Sequence, residues 1–193
     1  TKRNPGTGHL LQVGRVDQIT IERARRGERD AMAALLNGLA DIWYRFSVSQ
    51  LRDPDLAREV VQETAVRFMK QLSGFRGESR IESWSLGIAL NVVREQRRSA
   101  SKLDPARLAA GMNLRESEEP TSSGDRYEQD ELKRVHELIQ SLPDRQREAI
   151  LLRFFEALSV EETAAVMNCA AGTIKATVHQ ALRAMRQKLT EQP

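Results

Sequence analysis

Apolar residues recur at helical spacing along almost the whole of this chain, and this periodicity limits the folds that it can adopt. In the stretch 53–72, for example, one face of a helix would carry Leu56, Val60, Phe68 and Leu72. No stretch shows a convincing alternation of apolar and polar residues, which is the pattern of a half-buried strand. The sequence therefore predicts an all-α protein.

Two breaks in the periodicity divide the chain. Residues 1–16 lack it and are predicted to form a flexible N-terminal arm. Residues 99–124 are polar and include ESEEPTSSGD, which has very little to bury, so they are predicted to form a flexible linker. Helical patterning over residues 17–98 and 125–193 predicts two small helical domains joined by that linker.

Composition narrows the classes of function. The chain has 193 residues, of which 30% are charged, and a formal net charge of +3. No apolar run approaches the roughly 20 residues that cross a bilayer, and the first residues lack the apolar core of a signal peptide. The single cysteine, Cys169, excludes an intrachain disulfide framework. We therefore expect a cytoplasmic protein without membrane insertion.

The first domain contains a well-specified helix with an acidic face. Asp53 is a suitable N-cap, and Pro54 suits the first helical position. The face opposite the apolar stripe presents Glu59, Gln62 and Glu63. This face is open to three interpretations: a solvated surface, a pair of catalytic or metal-binding carboxylates, or a docking surface for a basic partner. The second is disfavoured because no histidine or aspartate cluster accompanies the two glutamates.

The loop and helix that follow, residues 75–98, combine aromatic and cationic side chains. Ser79 and Glu82 have capping-box spacing, which predicts where the helix begins. The stripe predicted to be buried consists of Ile81, Trp84, Ile88 and Val92. Cations in the last turn suit the helix dipole and can equally bind phosphates; this turn carries Arg94, Arg97 and Arg98.

The stretch EVVQETAVRFMKQLSGFRGESRIESW, followed by a helix with an asparagine, resembles region 2 of bacterial RNA polymerase sigma factors of the extracytoplasmic-function group. The resemblance implies that Glu59, Gln62 and Glu63 dock on the clamp of the polymerase largest subunit. It also implies that the next loop and helix recognise and melt the −10 promoter element, with an extruded base in a pocket and a cationic track beside it. The residues assigned to this −10 surface are Phe75, Arg76, Trp84, Asn91, Arg94, Arg97 and Arg98.

One segment departs from the family pattern. Family members carry W-L-Y-R-I-A-R-N where this chain has WSLGIALN. An aromatic residue and two arginines that commonly face DNA are thus replaced by Leu86, Gly87 and Leu90. Glycine is also unfavourable inside a helix, by roughly 1 kcal/mol relative to alanine. The −10 surface is therefore expected to carry fewer cations than in other members.

The second domain is predicted to begin with two helices, in DRYEQDELKRVHELIQSL and PDRQREAILLRFFEAL. Their predicted inward residues are Leu132, Val135, Leu138, Ile139 and Leu142 in the first and Ile150, Leu151, Phe154 and Leu158 in the second. Ser159 and Glu162 have capping-box spacing and would open a short helix from Val160 to Met167.

After a tight turn, a last helix is predicted from about Thr173 to Leu189. Its apolar stripe is Ile174, Val178, Leu182, Met185 and Leu189. A short helix, a turn and a longer helix make a helix-turn-helix. A generic helix pair of this kind is common, so the topology alone does not define a function.

Residues 141–189 resemble sigma region 4, in particular through LPDRQR, LSVEETA and GTIK. The resemblance implies that the last helix reads the −35 element in the major groove. The residues assigned to this −35 surface are Thr173, Lys175, Ala176, Thr177, His179, Gln180 and Arg183. Where the family carries serine and two arginines, this chain has Ala176, Thr177 and Gln180. Glutamine can still read adenine, and threonine can contact a thymine methyl.

The two resemblances together identify the chain as an extracytoplasmic-function sigma factor without catalysis of its own. It is expected to bind core RNA polymerase, at the clamp and the flap, and promoter DNA, and to need no cofactor, metal or small-molecule substrate. The resemblance also implies an anti-sigma factor wedged between the two domains. Two alternatives stay open: a polymerase-binding adaptor, and a helix-turn-helix regulator that does not itself direct initiation.

Overall fold

The computed structural model describes residues 17–103 and 133–191. Within these ranges the regular structure is entirely helical and forms two helical domains, which confirms the predicted fold class. The N-terminal arm 1–16, residues 104–124 of the predicted linker and the first residues of the predicted second domain, including Leu132, lie outside the described residues.

The first domain contains four helices: α1 (Gln18–Arg25), α2 (Arg29–Leu51), α3 (Pro54–Gln71) and α4 (Ile81–Leu103). A turn of 3-10 helix, Leu72–Gly74, follows α3. The α3 helix begins where its sequence predicts, because Asp53 accepts hydrogen bonds from the N–H groups of Asp55 and Leu56, at 2.9 and 3.1 Å. Its inward stripe packs on α2, where Trp43 and Phe46 are buried.

The start and the end of α4 differ from the sequence prediction. The carbonyl of Arg80 accepts the first helical hydrogen bond, from the N–H of Trp84 at 3.0 Å. Arg80 therefore occupies the N-cap position, and Ser79 lies one residue too early to cap. The predicted Ser79–Glu82 capping box is wrong for this reason. At its other end α4 continues to Leu103, so the first residues assigned to the linker are helical.

The second domain contains a helix over residues 133–140 (α5), then α6 (Asp144–Ile150), α7 (Val160–Met167) and α8 (Ala171–Glu191). The predicted capping box of α7 is present. The Ser159 hydroxyl accepts a hydrogen bond from the Glu162 N–H at 3.0 Å, and the Glu162 carboxylate accepts one from the Ser159 N–H at 2.8 Å. At the end of α7, Asn168 adopts a left-handed conformation with φ of 52° and starts the turn into α8.

Several residues predicted to face the core of the second domain are exposed. A turn of π-helix, Leu151–Phe155, follows α6 and changes the helical register, so Leu152 is buried while Phe154 is 53% exposed. In α8 the inward position next to Val178 belongs to Ala181. The predicted core residues that prove to be exposed are Val135, Phe154, Leu182 and Leu189.

The two domains pack directly against each other. The contact runs along α4 of the first domain, which lies against α7 of the second, and the apolar cores of both domains are continuous. The two domains of this chain thus form one closed unit.

Candidate functional site

The acidic face of α3 lines an open groove of about 510 Å³ between α3 and α4. Glu59 and Gln62 are exposed, and Glu63 is half-buried. The structure thus brings the three residues predicted for docking together. The remaining residues that line the groove are Val66, Arg67, Val92, Glu95, Gln96 and Ser99.

One cation organises the carboxylates of this groove. The guanidinium of Arg67 donates to Glu63 at 2.6 Å and to both carboxylate oxygens of Glu95, at 2.8 and 2.7 Å. The hydrogen bonds with Glu95 and Glu63 raise the pKa of Arg67. The same bond with Arg67 outweighs burial and lowers the pKa of Glu95. Three carboxylates, including that of Glu59, face one guanidinium, so the groove is net acidic.

Glu95 is a groove residue that the sequence alone does not reveal. It lies 28 residues after Arg67 and on a different helix, so no spacing rule connects the two. The only signal in the sequence is its position on α4, four residues after Asn91, where an acidic residue interrupts a run of arginines.

Two aromatic residues assigned to the −10 surface belong to the core. Phe75 is 5% exposed, and its ring centroid lies 5.2 Å from that of Trp84. Trp84, which is half-buried, packs at a tilt against Phe68, with ring centroids 5.4 Å apart, and Phe68 packs in the same way against Trp43, at 5.5 Å. This row of four rings holds the loop between α3 and α4 against the domain.

Three other residues of the predicted −10 surface are exposed. Arg76 is 84% exposed and lies 3.9 Å from Glu78. Asn91 and Arg98 lie on the exposed part of α4. These three side chains are accessible to DNA without rearrangement of the domains.

The last two arginines of the predicted −10 surface are covered by the second domain. Arg94 forms a bidentate pair with Glu148, at 2.7 and 3.1 Å, and the Glu148 side chain is only 2% exposed. Arg97, 12% exposed, lies 3.7 Å from Glu148 and 3.5 Å from Asp144. Burial lowers the pKa of Arg97, whereas the hydrogen bond with Glu148 raises that of Arg94.

Two of the three residues that depart from the family pattern are buried, and the third, Gly87, is half-buried. Leu86 and Leu90 are buried. Gly87 faces the backbone of α7: a Cβ atom placed on it would lie 3.9 Å from both the Cα and the carbonyl oxygen of Val166. The helix thus carries small and apolar residues where other members carry cations, and the second domain covers part of that face.

The helix-turn-helix presents its predicted −35 surface to solvent. Ile174 and Ala181 are buried and fix which face of α8 points inward. Thr177 is half-buried, and the other assigned side chains are exposed: Thr173, Lys175, Ala176, His179, Gln180 and Arg183.

Within residues 17–103 and 133–191, no helix is long and apolar enough to cross a membrane. The same ranges contain no cluster of three or more His, Cys, Asp or Glu residues that could hold a metal ion.

The short helix α7, a turn and the longer helix α8 form the arrangement found in many DNA-binding proteins, and comparison with known proteins identifies the class. The Sigma-70 region 2 family matches residues 32–103, and the Sigma-70 region 4 family matches residues 132–185. The chain is 31% identical to the RNA polymerase sigma-H factor of Pseudomonas aeruginosa over 182 residues, which cover 90% of this chain and 93% of that protein. It is 30% identical to the ECF RNA polymerase sigma-E factor of Escherichia coli strain K12 over 187 residues, which cover 90% of this chain and 94% of that protein.

Solved structures show the same fold. CnrH, in complex with the cytosolic domain of CnrY, superposes with a TM-score of 0.68 and 22% identity, covering 92% of this chain and 99% of that one. The sigma factor RpoE of Bartonella quintana, in complex with the anti-sigma factor NepR, superposes with a TM-score of 0.63 and 24% identity. This match covers 83% of this chain and 98% of that one. The chain therefore belongs to the extracytoplasmic-function group of the sigma-70 family and is an alternative sigma factor. Its first domain corresponds to region 2 and its second to region 4.

Proposed function

We propose that this sigma factor binds core RNA polymerase through the groove between α3 and α4, and promoter DNA through two separate surfaces. One observation carries the docking assignment: Glu59, Gln62 and Glu63 lie side by side in one open acidic groove. The −35 surface is the exposed face of α8. The −10 surface consists of Arg76, Asn91 and Arg98, joined by Arg94 and Arg97 when the domains separate.

The chemistry of the groove suits a basic partner helix. Its net negative charge would attract lysine and arginine side chains and accelerate association. Val66, which is 39% exposed, adds apolar surface to the lining of the groove. Arg67 holds Glu63 and Glu95 in fixed positions, so less side-chain freedom is lost when the partner binds.

Phe75 and Trp84 are proposed to act on the −10 element indirectly. Their rings pack on the core and on each other, so they set the position of the loop that carries Arg76. Arg76 itself is then the loop residue that contacts DNA. This refines the assignment made from the sequence, in which all three contact the −10 element.

The family consists of non-catalytic initiation factors. We therefore propose that this chain has no catalytic activity of its own, needs no cofactor and is located in the cytoplasm. The domain boundaries 17–98 and 125–193 are likewise proposed. The two similar solved structures are sigma factors bound to regulators, CnrY and NepR. We therefore propose that an anti-sigma factor also binds this chain.

Charge reversal in the groove tests the docking assignment. Glu63→Lys and Glu59→Lys should each abolish binding to core polymerase, measured by fluorescence anisotropy of the labelled full chain. Glu59→Lys is the cleaner variant because Glu59 is exposed, whereas Glu63 also pairs with Arg67. Asp41→Lys, an equal charge reversal at an exposed site of α2, is the matched control and should bind normally.

Holoenzyme formation by either groove variant with unchanged affinity would refute the docking assignment. Circular dichroism and thermal unfolding establish that each variant keeps its fold. In vitro transcription with core polymerase on a genomic promoter library then tests the promoter surfaces, since start sites should share spaced −35 and −10 motifs.

A further inference from the structure

We propose that the polymerase docking site has a second half on α4, with Glu95 as its charged residue and Arg67 as the positioning residue that holds Glu95 beside Glu63. This inference rests on the proposed docking function of the groove between α3 and α4. It adds a contact from a second helix to the three assigned docking residues, all of which lie on α3.

Two helix faces of the same spacing form the groove. Residues that lie three, four and seven positions after a given residue share one face of a helix with it. The members of these two faces are Glu59, Gln62, Glu63 and Val66 on α3, and Val92, Glu95, Gln96 and Ser99 on α4. A partner helix that lies in the groove would therefore contact both faces.

The α4 face of the groove is accessible to a partner. The Glu95 side chain is 46% exposed, which is close to the 45% of Glu63 on the opposite face. Gln96 is half-buried and Ser99 is exposed, whereas Val92 is buried. Three polar side chains of α4 can therefore meet a partner without any change of the fold.

The guanidinium of Arg67 connects the two faces. Its Nε donates to Glu63 on the same helix, and its two terminal nitrogens donate to the two carboxylate oxygens of Glu95 on α4. A guanidinium is a planar fork that fits a carboxylate in few orientations, so it fixes the carboxylate that it binds. Arg67 thus holds two carboxylates close together, although their like charges alone would drive them apart.

Both carboxylates keep acceptor capacity for a partner. A carboxylate has about four lone-pair sites, and Arg67 uses one site of Glu63 and two of Glu95. The hydrogen bond with Arg67 and the charges of Arg67 and Arg98 outweigh burial and lower the pKa of Glu95. The ionised Glu95 can therefore accept from a cation of the partner while Arg67 stays in place.

The distribution of charge defines the partner segment that fits. Three carboxylates and one guanidinium in the lining leave two negative charges uncompensated, and the carboxylates lie on both helices. A partner helix with at least two lysine or arginine side chains, one for each face, is complementary to this arrangement.

Photo-crosslinking tests the contact from α4 directly. The photoreactive residue p-benzoylphenylalanine replaces Gln96 on α4, Gln62 on α3 or, as a control, the exposed Asp41 on α2, in the full chain. After incubation with core polymerase and irradiation, the first two variants should crosslink to the largest subunit, and the control should not. A crosslink from position 62 without one from position 96 would overturn the proposed second half of the site.

Glu95→Gln tests the charge on α4. Glutamine has the same shape and can still accept from Arg67, so this variant removes little except the charge. Binding to core polymerase should weaken by about fivefold or more. Glu28→Gln is the matched control, because Glu28 pairs with Arg23 at 2.7 Å, is similarly exposed and lies outside the lining of the groove. The control should change the affinity by less than about twofold. Equal affinities of the two variants would contradict the role of Glu95.

Arg67→Lys separates positioning from charge. Lysine keeps the positive charge but has no planar fork with which to bind both carboxylates. The association rate constant should therefore stay within about twofold, whereas dissociation should become about fivefold faster or more. The same replacement in a Glu63→Gln, Glu95→Gln background should have a smaller effect, because the ion pairs are already absent there. Unchanged dissociation, or an equal effect in the two backgrounds, would refute the positioning role.

Glu59→Lys separates this inference from the docking assignment itself. Loss of binding by Glu59→Lys, together with unchanged binding by Glu95→Gln, would leave docking on α3 alone and refute only the inference. Full binding by both variants would refute the docking assignment and the inference with it. Circular dichroism shows whether each variant keeps its fold, and the crosslinking experiment needs no change at Glu95 or Arg67.

Discussion

The two helices assigned to promoter DNA, α4 and α8, differ in how far the rest of the chain covers their assigned faces. On α8 the assigned face is exposed except for the half-buried Thr177. On α4, Arg94 and Arg97 are paired with carboxylates of the second domain, and only Asn91 and Arg98 remain accessible. The difference shows that helical periodicity locates the face of a helix but does not determine what covers that face.

The largest expected effect is on the free energy of unfolding, and it distinguishes the buried from the exposed residues that were assigned to the −10 surface. Phe75→Ala removes a buried ring from the aromatic row and should lower the free energy of unfolding by about 3–5 kcal/mol. Arg76→Ala, its exposed neighbour, should change it by less than about 0.5 kcal/mol but weaken binding to −10 DNA. Urea unfolding and DNA binding by the holoenzyme provide the two measurements. A stable Phe75→Ala variant would place this ring on the DNA surface instead.

An intermediate effect, on the affinity for −35 DNA, is expected from a change on the exposed face of α8. Gln180→Ala in α8 should cost about 1–3 kcal/mol of binding at −35 elements that place adenine opposite it, and little at other sequences. Stability should not change, because the side chain is exposed. Holoenzyme binding to a set of −35 variants measures this, with Gln187→Ala, further along α8, as the matched control. Equal losses on every sequence would show that Gln180 contacts the backbone of the DNA.

The smallest effect is a change of pKa that reports the contact between α4 and α7. Burial raises the pKa of Glu162, but hydrogen bonds from Ser159, Arg80 and Ser83 outweigh it and lower the pKa to about 2. The ionised carboxylate therefore stabilises the contact above its ordinary pKa of 4.5, and this contribution is lost as the pH falls towards 2. Between pH 5 and 8 the contact between α4 and α7 should not change through this group.

NMR titration of the Glu162 carboxyl carbon measures that value. Arg80→Ala removes both a hydrogen bond and a charge from across the domain contact, so it should raise the pKa of Glu162. If Arg80→Ala left the pKa of Glu162 unaltered, the two helices would not be in contact in solution.

Local sequence rules predict correctly where two of the helices, α3 and α7, begin. Asp53 caps α3, and Ser159 with Glu162 caps α7, as their spacing indicates. Ser79 with Glu82 has the same spacing but does not cap α4, because the carbonyl of Arg80 accepts the first helical bond. The spacing of a capping box predicts where a helix starts, and α4 starts one residue later than that spacing indicates.

Contacts between residues far apart in the sequence account for features that the sequence does not predict. Arg94 lies 54 residues before Glu148, and Arg80 lies 82 residues before Glu162, so no periodicity relates them. The exposure of Phe154 follows from the π-helical turn, which shifts the register at that point. The grouping of Glu59, Gln62 and Glu63 in one groove, in contrast, was predictable because all three lie on one face of a single helix.

Gly87 makes the contact between α4 and α7 sensitive to changes in a single codon. Most amino-acid replacements that a single-base change in a glycine codon produces are larger than alanine, and a Cβ atom at position 87 would already lie in van der Waals contact with the backbone of α7. A change in this one codon can therefore alter how the two domains pack, while the interior of either domain stays unaltered.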